Sequence, residues 1–516
     1  MGLTQRQERI AERIRRATCV EAERLERLHI PRLPWDDTLR LPIELPDDSA
    51  FRVLTIPQFL AGLLLIALIV FGLTTRPVLT LTVLNSLVMT FYLVVVFAKL
   101  YFIHLSLGES QELSYTPEEI FALDDADLPS YTILVPLFRE TESLPRLVRG
   151  LSELDYPKDR LQVLLLLEEN DAPTREAVAA MALPTFITPI VTPRGTPQTK
   201  PKACDLGLAH ATGEYLVLYD AEDRPEPDQL KKAVLGFRES PDEVICLQAR
   251  LNFYNKRQNL LTRFFTLEYS MWFDLFLPGL SDLRAPIPLG GTSNHFKVSV
   301  LRSLLGWDPF NVTEDCDLGV RLARRGFETR TLDSTTWEEA CSQLSHWLRQ
   351  RSRWVKGYLQ TYLVALRRPF GVVRRVGVGR ALAFHVMVGG TPLSLLINPL
   401  YWTLTLLWFV LRWEGVTELF PFPIILWALV CLFVGNVAFI YATLLAAFRR
   451  GYYDLVKYAL LVPFYWLLMS IGAWKGCLQL ITRPSYWEKT QHGLDIAAGY
   501  RDADGETPTE RGEEDK

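Results

Sequence analysis

Uncharged apolar runs at both ends of this 516-residue chain restrict its fold more than any other feature. Residues 56–73 and 78–98 contain no Asp, Glu, Lys or Arg, and neither do residues 381–411 and 419–448. A helix of about 20 apolar residues crosses a bilayer core. The first two runs therefore predict a transmembrane hairpin, and the later two predict a second membrane region. Two buried helices of a soluble core are the alternative for the hairpin, which the later runs disfavour.

The C-terminal membrane region has a less regular pattern. Residues 381–411 exceed the length of one span, and the Gly-Gly-Thr-Pro stretch at 389–392 predicts a break before a span from about Leu393. The piece before the break would be interfacial or re-entrant. The last apolar run, 458–474, is interrupted by Pro463, and its sequence does not decide whether it spans.

Basic residues beside the spans predict which side of the membrane the central part occupies. Arg and Lys gather in the N-terminal tail, at 367–380 and at 449–450, whereas the turn of the hairpin carries Arg76 alone. Positive charge favours the cytoplasmic side. We therefore expect the central part to be cytoplasmic and the protein to reside in the plasma (inner) membrane. No cleavable leader is expected, because strong apolar character begins only near Ile56.

Net charge and cysteine spacing exclude two classes of partner. The chain carries 55 Lys and Arg against 59 Asp and Glu, which gives no basic field for nucleic acid. Its seven cysteines are scattered, without a Cys-x-x-Cys pair or zinc-ligand spacing. We expect no nucleic-acid partner and no structural zinc.

The middle of the chain, from about residue 130 to 339, alternates short β-rich runs with helical segments. The predicted strands are 131–135, 161–167, 186–191, 214–219 and 244–248. Helical patterns such as 142–154 and 227–239 lie between them. This alternation predicts a mostly parallel α/β sheet, in which ligands bind beyond the carboxyl ends of the strands.

Acidic residues follow two of these strands. Glu168 and Glu169 come after the second strand, and Asp220, Glu222 and Asp223 come after the fourth. Clustered carboxylates are costly without a cation, and hard oxygen ligands suit Mg²⁺ or Mn²⁺ on a diphosphate. Solvated acidic loops are the alternative for either cluster alone. Two clusters at equivalent strand ends favour a ligand site.

Two further elements carry polar groups at helix starts. Lys200 and Lys202 precede a helical stretch at 203–211, where an ammonium and a helix N-terminus could face a phosphate; surface lysines are the alternative. Glu314 and Asp315 begin another helical stretch, after a glycine-containing loop. Their alternative role is helix capping.

A predicted helix at about 341–366 presents Gln350, Arg353 and Trp354 on one face. An indole face stacks on the C–H face of a sugar ring, while Arg and Gln bind hydroxyl or phosphate groups. The alternative is an interfacial Trp with arginines that reach towards lipid headgroups.

Seven short elements occur in a fixed order along the chain. They are Val135-Pro136, Glu168-Glu169, Lys202, Asp220-Ala221-Glu222-Asp223, Gly290-Gly291-Thr292, Thr313-Glu314-Asp315 and Gln350 to Trp354. In this order they resemble the D, DxD, TED and QxxRW motifs of the family 2 glycosyltransferases. The match is nearest to the processive membrane branch, which includes cellulose, mannan and hyaluronan synthases.

The resemblance implies an α/β GT-A domain, Rossmann-like with a mostly parallel sheet, inserted between transmembrane helices. The implied division is a cytoplasmic tail at 1–55, a two-helix hairpin at 56–104, a GT-A domain at 105–340, acceptor-site and interfacial helices at 341–392, a transmembrane region at 393–482 and a polar tail at 483–516.

The resemblance also implies roles for the motif residues. Donor-binding residues would be Pro136, Glu140, Glu168, Glu169, Lys202 and Asp220. Metal ligands for Mg²⁺ or Mn²⁺ would be Asp220, Glu222 and Asp223. Asp315 would be the general base, supported by Glu314, in an inverting displacement. Acceptor-binding residues would be Gly291, Thr292, Gln350, Arg353 and Trp354.

Several departures from the family pattern stand out. Glu168-Glu169 replaces the usual Asp-Asp, and Asp-Ala-Glu-Asp replaces Asp-x-Asp, so the second metal ligand is either Glu222 or Asp223. The gating-loop motif of cellulose synthases is not found, and with few residues after 489 we expect no cyclic-dinucleotide-binding domain like theirs.

Three functions remain open on the sequence. The first is a processive hexosyltransferase that uses UDP-glucose or GDP-mannose, elongates a β-linked polysaccharide and exports it through its helices, with partners in the cell envelope. The second is transfer of one sugar to a lipid carrier. The third is a transporter or receptor whose cytoplasmic domain binds a nucleotide, which the scarcity of polar residues in the spans disfavours.

Overall fold

The computed structural model describes residues 39–108, 112–412, 415 and 418–488. The amphipathic helix predicted in the first 38 residues and the tail after residue 488 lie outside the described residues.

From residue 39 onwards, four described helices precede the sheet, and two of them form the predicted hairpin. They are α1 Arg40–Glu44, α2 Ile56–Thr75, α3 Pro77–Leu107 and α4 Pro117–Phe121. A capping box begins α2, in which the side chains of Thr55 and Gln58 each accept the other's backbone N–H. No residue of α2 is buried, so its apolar surface is left for lipid.

A single eight-stranded sheet forms the centre of the molecule. Its strands are β1 Tyr131–Leu137, β2 Leu161–Glu168, β3 Ile187–Thr192, β4 Tyr215–Leu218, β5 Arg224–Pro225, β6 Val244–Phe253, β7 Asn294–Lys297 and β8 Glu328–Glu338. They lie in the order β3-β2-β1-β4-β7-β6-β8-β5. The β3 to β4 half is parallel, and β7 runs antiparallel to both of its neighbours. This mixed, mostly parallel sheet between apolar helices confirms the predicted α/β GT-A fold class.

Alternating side chains on the central strands bury both faces of the sheet. On one face of the sheet, Ile133 and Val135 pack with helices of the central α/β domain. On the other face, Leu134 packs with Phe102 of α3 and with helices of the C-terminal region. The period-2 pattern of a strand thus ties the soluble domain to the membrane helices.

The sequence prediction found the five parallel-type strands but missed β5, β7 and β8. The missed β7 has only four residues and β5 only two. The third, β8, is rich in Thr and charged residues and lacks the continuous apolar run of a central strand.

Helices pack on both faces of the sheet. They are α5 Leu144–Glu153, α6 Ala172–Ala179, α7 Lys200–His210, α8 Gln229–Glu239, α9 Leu260–Met271, α10 Leu277–Asp282, α11 Val298–Ser303 and α12 Glu314–Arg324. A π-helical turn, Trp272–Phe276, joins α9 to α10, and short 3₁₀ turns occur at Asp125–Asp127 and Lys158–Arg160.

The C-terminal region is helical. Its helices are α13 Leu344–Ala365, α14 Pro369–Val376, α15 Val378–Phe384, α16 Thr391–Leu411, α17 Ile424–Leu429, α18 Asn436–Arg449 and α19 Val462–Thr482. π-helical turns at His385–Gly390 and Val430–Gly435 and a 3₁₀ segment at Tyr453–Leu461 lie between them.

Five helices within the described residues are long and apolar enough to cross a membrane. They are Ile56–Thr75, Pro77–Leu107, Val378–Leu411, Ile424–Arg449 and Tyr453–Thr482. The last of these includes the run that the sequence left undecided.

The predicted break at 389–392 is wrong. The chain stays helical from α15 through the π-helical turn into α16, with Pro392 in the first turn of α16. Proline lacks an N–H, and the π-helical turn already interrupts the regular bonding ladder at that point. Gly389 lies against the ring of Tyr362, where a Cβ would come within 2.5 Å.

The C-terminal end of α3 packs the hairpin against the α/β domain. With 31 residues, α3 is about 46 Å long at 1.5 Å per residue, longer than a bilayer core of about 30 Å. Its last turns are buried against the domain, where Gly279 of α10 packs against the carbonyl oxygen of Phe102. A Cβ on Gly279 would lie 1.9 Å from that oxygen.

We expect Gly279→Ala to destabilise this junction by about 1–3 kcal/mol, because backbone on both sides leaves no room for a methyl group. The measurement is the thermal unfolding midpoint of the protein in detergent. Gly150→Ala in α5 is the control, since no atom lies within 4 Å of its Cβ position. It should leave the midpoint unchanged or raise it slightly. Equal midpoints for the Gly279 variant and wild type would contradict the tight junction.

Candidate active site

A cavity of about 330 Å³ opens at the carboxyl ends of β1, β2 and β4. Most of the predicted site residues line it. They are Pro136, Glu140, Glu168, Asp220, Glu222, Gly291, Thr292, Glu314, Asp315, Gln350, Arg353 and Trp354. Elements separated by more than 200 residues in sequence therefore meet at one edge of the sheet, as the parallel topology predicts.

Three predicted residues do not line this cavity. Glu169 is exposed and accepts the backbone N–H of Arg194 at 2.8 Å. Lys202 donates to the carbonyl oxygen of Pro193 at 2.6 Å, and burial lowers its pKa despite the nearby Glu168. Asp223 is buried behind the cavity wall.

Asp223 shapes the loop that holds Asp220. One of its carboxylate oxygens accepts the backbone N–H of Asp220 at 2.8 Å and the hydroxyl of Thr292. Thr292 also donates to the carbonyl oxygen of Leu218, the last residue of β4. Of the two alternatives for a second metal-facing group, Glu222 faces the cavity and Asp223 faces the backbone.

The antiparallel strand β7 brings the glycine loop to the acidic edge. Leu218 at the end of β4 pairs with Asn294 at the start of β7. Because β7 runs the opposite way, the residues that precede it, Gly291 and Thr292, lie beside Asp220. The sequence-based parallel sheet did not include this strand.

Lys200, rather than Lys202, is the lysine that faces the cavity. Its ammonium lies 2.5 Å from Asp220 Oδ1 and donates to the carbonyl oxygen of Gly291 at 2.9 Å. Burial alone would lower the pKa of Lys200, but the charge of Asp220 raises it above its ordinary value. Lys200 therefore stays charged and joins the two acidic motifs.

Glu338, at the end of β8, adds another carboxyl group to the cavity wall. Burial, followed by the charges of Asp223, Glu222 and Asp220, raises its pKa well above the ordinary value. Burial and the charges of Asp220 and Glu222 do the same for Asp223. Carboxyl groups that raise one another's pKa in this way mark a place that favours a cation.

The acidic edge suits a divalent ion only in part. Among the described residues, no three His, Cys, Asp or Glu side chains converge closely enough to hold a metal by themselves. Asp220 and Glu222 face the cavity, and Asp223 Oδ1 is buried without a hydrogen-bond partner within the described chain. Such hard oxygen donors fit Mg²⁺ or Mn²⁺ that draws its other ligands from a bound diphosphate.

Glu314 and Asp315 begin α12 at the far side of the cavity. Burial, and then the neighbouring charge of Asp315, raises the pKa of Glu314 to about 8. Burial also raises the pKa of Asp315, against the effects of the Cys316 N–H and the Lys200 charge. Asp315 Oδ1 accepts that N–H at 2.7 Å, whereas Oδ2 lies 3.5 Å from the position of a Cβ on Gly291. Oδ2 is thus the oxygen on the side of the glycine loop.

Close packing of a glycine sets α13 against the acidic motif. A Cβ on Gly357 would lie 2.2 Å from Thr313 Oγ1, so only glycine allows this approach. Arg353 and Gln350, one and two turns earlier, then reach the cavity. Gln350 Oε1 and Arg353 Nε are buried and have no hydrogen-bond partner among the described residues. These unsatisfied groups indicate that a polar ligand completes the site.

Trp354 lies in a fixed aromatic setting at the membrane side of the cavity. Its ring stacks on Tyr269 at 6.2 Å between centroids, with the planes 26° apart. The Arg351 guanidinium lies 4.5 Å from the centroid of the same indole. Arg351 is fixed in turn by Glu268, whose carboxylate accepts from both terminal nitrogens at 2.6 and 2.5 Å. The partly exposed indole is thus held as a rigid wall.

The segment 483–488, called here the closing segment, returns from α19 to the cavity. Lys356 of α13 donates to the carbonyl oxygen of Tyr486 at 2.6 Å, and Lys475 donates to Glu488 at 2.8 Å. Trp487 lines the cavity, with the Arg353 guanidinium 4.5 Å from its ring centroid. Sequence reasoning missed Trp487, because only tertiary contacts bring it to the site.

A second cavity, of about 470 Å³, lies between the apolar helices next to the first. The two cavities share the wall residues Glu268, Trp272, Thr391, Leu395 and Met469. The second cavity is lined mainly by apolar and aromatic side chains of α3, α16 and α18 and their neighbours. The cavity at the sheet edge therefore adjoins a chamber between the apolar helices.

Two family models match the chain. The model described as Glycosyl transferase family group 2 matches residues 215–469, and the model described as Glycosyl transferase family 2 matches residues 132–296. Together they cover the sheet almost entirely, the cavity lining apart from Trp487 and most of the C-terminal helices.

Curated relatives match about half of the chain. The probable glycosyltransferase YdaM of Bacillus subtilis (strain 168) is 26% identical over 252 residues, which are 48% of this chain and 60% of the relative. Glucomannan 4-beta-mannosyltransferase 2 of Arabidopsis thaliana is 26% identical over 244 residues, 46% of this chain and 45% of the relative. The match thus spans about half the length of these relatives.

Among solved structures, the mannosyltransferase PcManGT from Pyrobaculum calidifontis, in complex with GDP-Man and Mn²⁺, is 17% identical. The superposition covers 78% of this chain and 99% of that one, with a TM-score of 0.49.

The raised pKa of Glu314 predicts a pH-dependent contribution to stability. Because the folded state holds the proton to about pH 8 while an unfolded glutamate releases it near pH 4.5, stability should fall as pH rises between those values. Glu314→Gln removes this titration. We expect the wild-type melting midpoint to decline relative to the variant from about pH 4.5 to 8 and to level off above it.

Glu153→Gln, at the exposed end of α5, is the matched control and should follow the wild-type profile. A constant difference between wild type and Glu314→Gln across this pH range would contradict the buried, proton-bearing state of Glu314.

Proposed function

This chain belongs to the family 2 glycosyltransferases, and we propose that it transfers hexosyl units from a nucleotide diphospho-sugar to a growing β-linked polysaccharide. One observation carries the proposal: the Asp220 loop, Asp315 and Trp354 line a single cavity. UDP-glucose and GDP-mannose are the proposed donors, and the mannosyltransferase names among the relatives favour mannose.

The donor side of the reaction is assigned to the ends of β1, β2 and β4. Pro136, Glu140 and Glu168 line the part of the cavity where the nucleoside would lie, and Lys200 beside Asp220 would meet the diphosphate. Mg²⁺ or Mn²⁺ held by Asp220 and Glu222 would offset the negative charge of the leaving diphosphate. Lys200 is placed to hold the same oxygens in position.

Asp315 is assigned as the general base. Its Oδ1 is held by the Cys316 N–H, which leaves Oδ2 for the acceptor hydroxyl. As that hydroxyl oxygen bonds to the anomeric carbon, the bond from this carbon to the diphosphate breaks and the proton passes to Asp315. Attack from the side opposite the leaving group inverts the anomeric configuration. Glu314, protonated at neutral pH, adds no second charge beside the base.

The acceptor is assigned to the membrane side of the cavity. Trp354 offers a fixed aromatic wall for the terminal sugar, and Gln350 and Arg353 carry unsatisfied polar atoms for its hydroxyl groups. Gly291 and Thr292 leave space opposite this wall. A Cβ at position 291 would make ordinary van der Waals contact with Asp315 Oδ2, at 3.5 Å.

The adjoining second cavity favours export of the product through the helices. A polymer that extends from Trp354 would reach the shared wall at Thr391 and Leu395 and then the chamber between α3 and α16. Aromatic walls suit sugar rings. In this proposal the catalytic domain is cytoplasmic and the helices lie in the plasma (inner) membrane, where export partners of the cell envelope would receive the chain.

The test is a product assay with the purified protein in nanodiscs, using radiolabelled UDP-glucose or GDP-mannose with Mg²⁺ or Mn²⁺. We expect long products that only β-linkage-specific glycanases degrade. A product confined to lipid with a single sugar would instead support the lipid-carrier function and contradict processivity.

Asp315→Asn is the matched variant in this assay. It should lower turnover by roughly 10²–10⁴-fold, because it removes proton acceptance while leaving the shape of the site. Nucleotide-sugar binding should be retained, since Asp315 faces the acceptor. Unchanged turnover would remove Asp315 from the mechanism.

Trp487 provides a further prediction on the acceptor side. Trp487→Ala should reduce kcat/KM for the acceptor about tenfold, because the cavity loses a wall that orders Arg353, an effect of roughly 1–2 kcal/mol. Tyr486→Ala is the control, since Tyr486 belongs to the same closing segment but does not line the cavity. Equal effects of the two variants would indicate that the closing segment acts only structurally.

A further inference from the structure

Lys99 is a charged side chain within the membrane region. It belongs to α3 and lines the second cavity. Its ammonium donates to the hydroxyl of Thr391 at 3.2 Å and lies 5.7 Å from the ring centroids of both Phe276 and Phe439. No ion pair to Lys99 occurs among the described residues.

The surroundings of Lys99 leave its positive charge uncompensated. Glu268 is the acidic residue on the cavity wall, and its carboxylate is already bound by Arg351 and by the Tyr465 hydroxyl at 2.7 Å. Within the described chain, Lys99 is the single Lys or Arg that lines this cavity. A charge in an apolar setting is costly, and one hydroxyl with two ring faces compensates it only in part. An anionic ligand would complete the site.

The depth of Lys99 indicates where that anion comes from. Lys99 lies about 33 Å along α3 from Pro77, which is close to the thickness of a bilayer core. In a bilayer whose core begins at Pro77, its ammonium would lie at the level of the headgroups on the side of the α/β domain. Thr391, its hydrogen-bond partner, belongs to the walls of both cavities. Lys99 thus stands where an apolar chamber meets the catalytic site.

We propose that Lys99 binds the phosphate of a lipid-linked acceptor on which synthesis begins. During the first transfer, before any polymer enters it, the apolar second cavity would hold the hydrocarbon chain. The hydroxyl or sugar beyond the phosphate would then reach Asp315 and Trp354. Elongation of the polysaccharide would follow from this first acceptor. The inference rests on the proposed glycosyl transfer and adds the chemical class of its starting substrate.

A lysine that only extends towards water at the membrane surface would be exposed and would not line a cavity between helices. Lys457 shows that case, because its side chain is exposed and does not line the second cavity. Lys99 instead points between helices, against the rings of Phe276 and Phe439. The two lysines provide a matched pair for the experiment.

The experiment measures binding without donor, so that its failure is distinct from failure of the proposed transfer. Farnesyl phosphate and farnesol, which differ in the phosphate alone, are titrated into the protein in phosphatidylcholine nanodiscs. Fluorescence of tryptophans in the cavity wall, such as Trp272 and Trp402, reports occupancy. We expect wild type to bind farnesyl phosphate at least tenfold more tightly than farnesol.

Lys99→Met should abolish that preference, Lys99→Arg should keep it, and Lys457→Met should match wild type. Should Lys99→Met fail to fold, Lys99→Gln replaces it. Equal binding of the two probes by wild type, or an intact preference in the uncharged Lys99 variant, would overturn the proposal. Displacement of farnesyl phosphate by millimolar inorganic phosphate would also overturn it, because the site would then take free phosphate rather than lipid.

Discussion

The electrostatic balance at one sheet edge is the constraint on which the rest of this structure depends. Asp220, Glu222 and Glu338 face Glu314 and Asp315 across a cavity, and the charge of Lys200 lies between the two groups. Buried carboxyl groups in such numbers raise one another's pKa values, and the fold tolerates them because the sheet and two helix starts fix their positions. An apolar core of the same size would be more stable without them. Their presence is therefore best explained by a ligand that carries phosphate and a cation.

The membrane helices complete this site rather than only anchoring it. Gly357 lets α13 approach Thr313, and the same helix then presents Arg353 and Trp354 to the cavity. The opposite side of α13 is held by α19, where a Cβ on Gly476 would lie 2.5 Å from the carbonyl oxygen of Ser352. The closing segment follows directly from α19. A shift of α19 would thus move α13 and the closing segment, which carry Trp354 and Trp487, without any change in the sheet.

Much of this arrangement could be predicted from the sequence, because strand ends and short motifs are local features of the chain. The parallel strands, the Asp220 loop and the helix of Trp354 are each visible as a short pattern. What sequence could not resolve depends on packing. Both lysines of the Lys200-Pro-Lys202 stretch lie in the first turn of the same helix, and only tertiary packing decides which one faces Asp220. Glu338 and Trp487 are distant in sequence from the motifs that they join. The prediction of a break at 389–392 was wrong because the helix continues through a π-helical turn, after which Pro392 lies in the first turn of α16.

The wall between the two cavities joins the proposed active site to the apolar helices. Glu268 of α9, Arg351 of α13 and Tyr465 of α19 form a hydrogen-bonded triad that belongs to three separate elements. Arg351 also lies against the ring of Trp354, so the acceptor wall and the membrane chamber share one fixed ion pair. Since breaking a buried ion pair is costly, this wall is expected to stay intact while substrates change on either side. In the proposed export, a chain that left the first cavity would pass beside the triad, along Thr391 and Leu395, where Lys99 contacts the same wall.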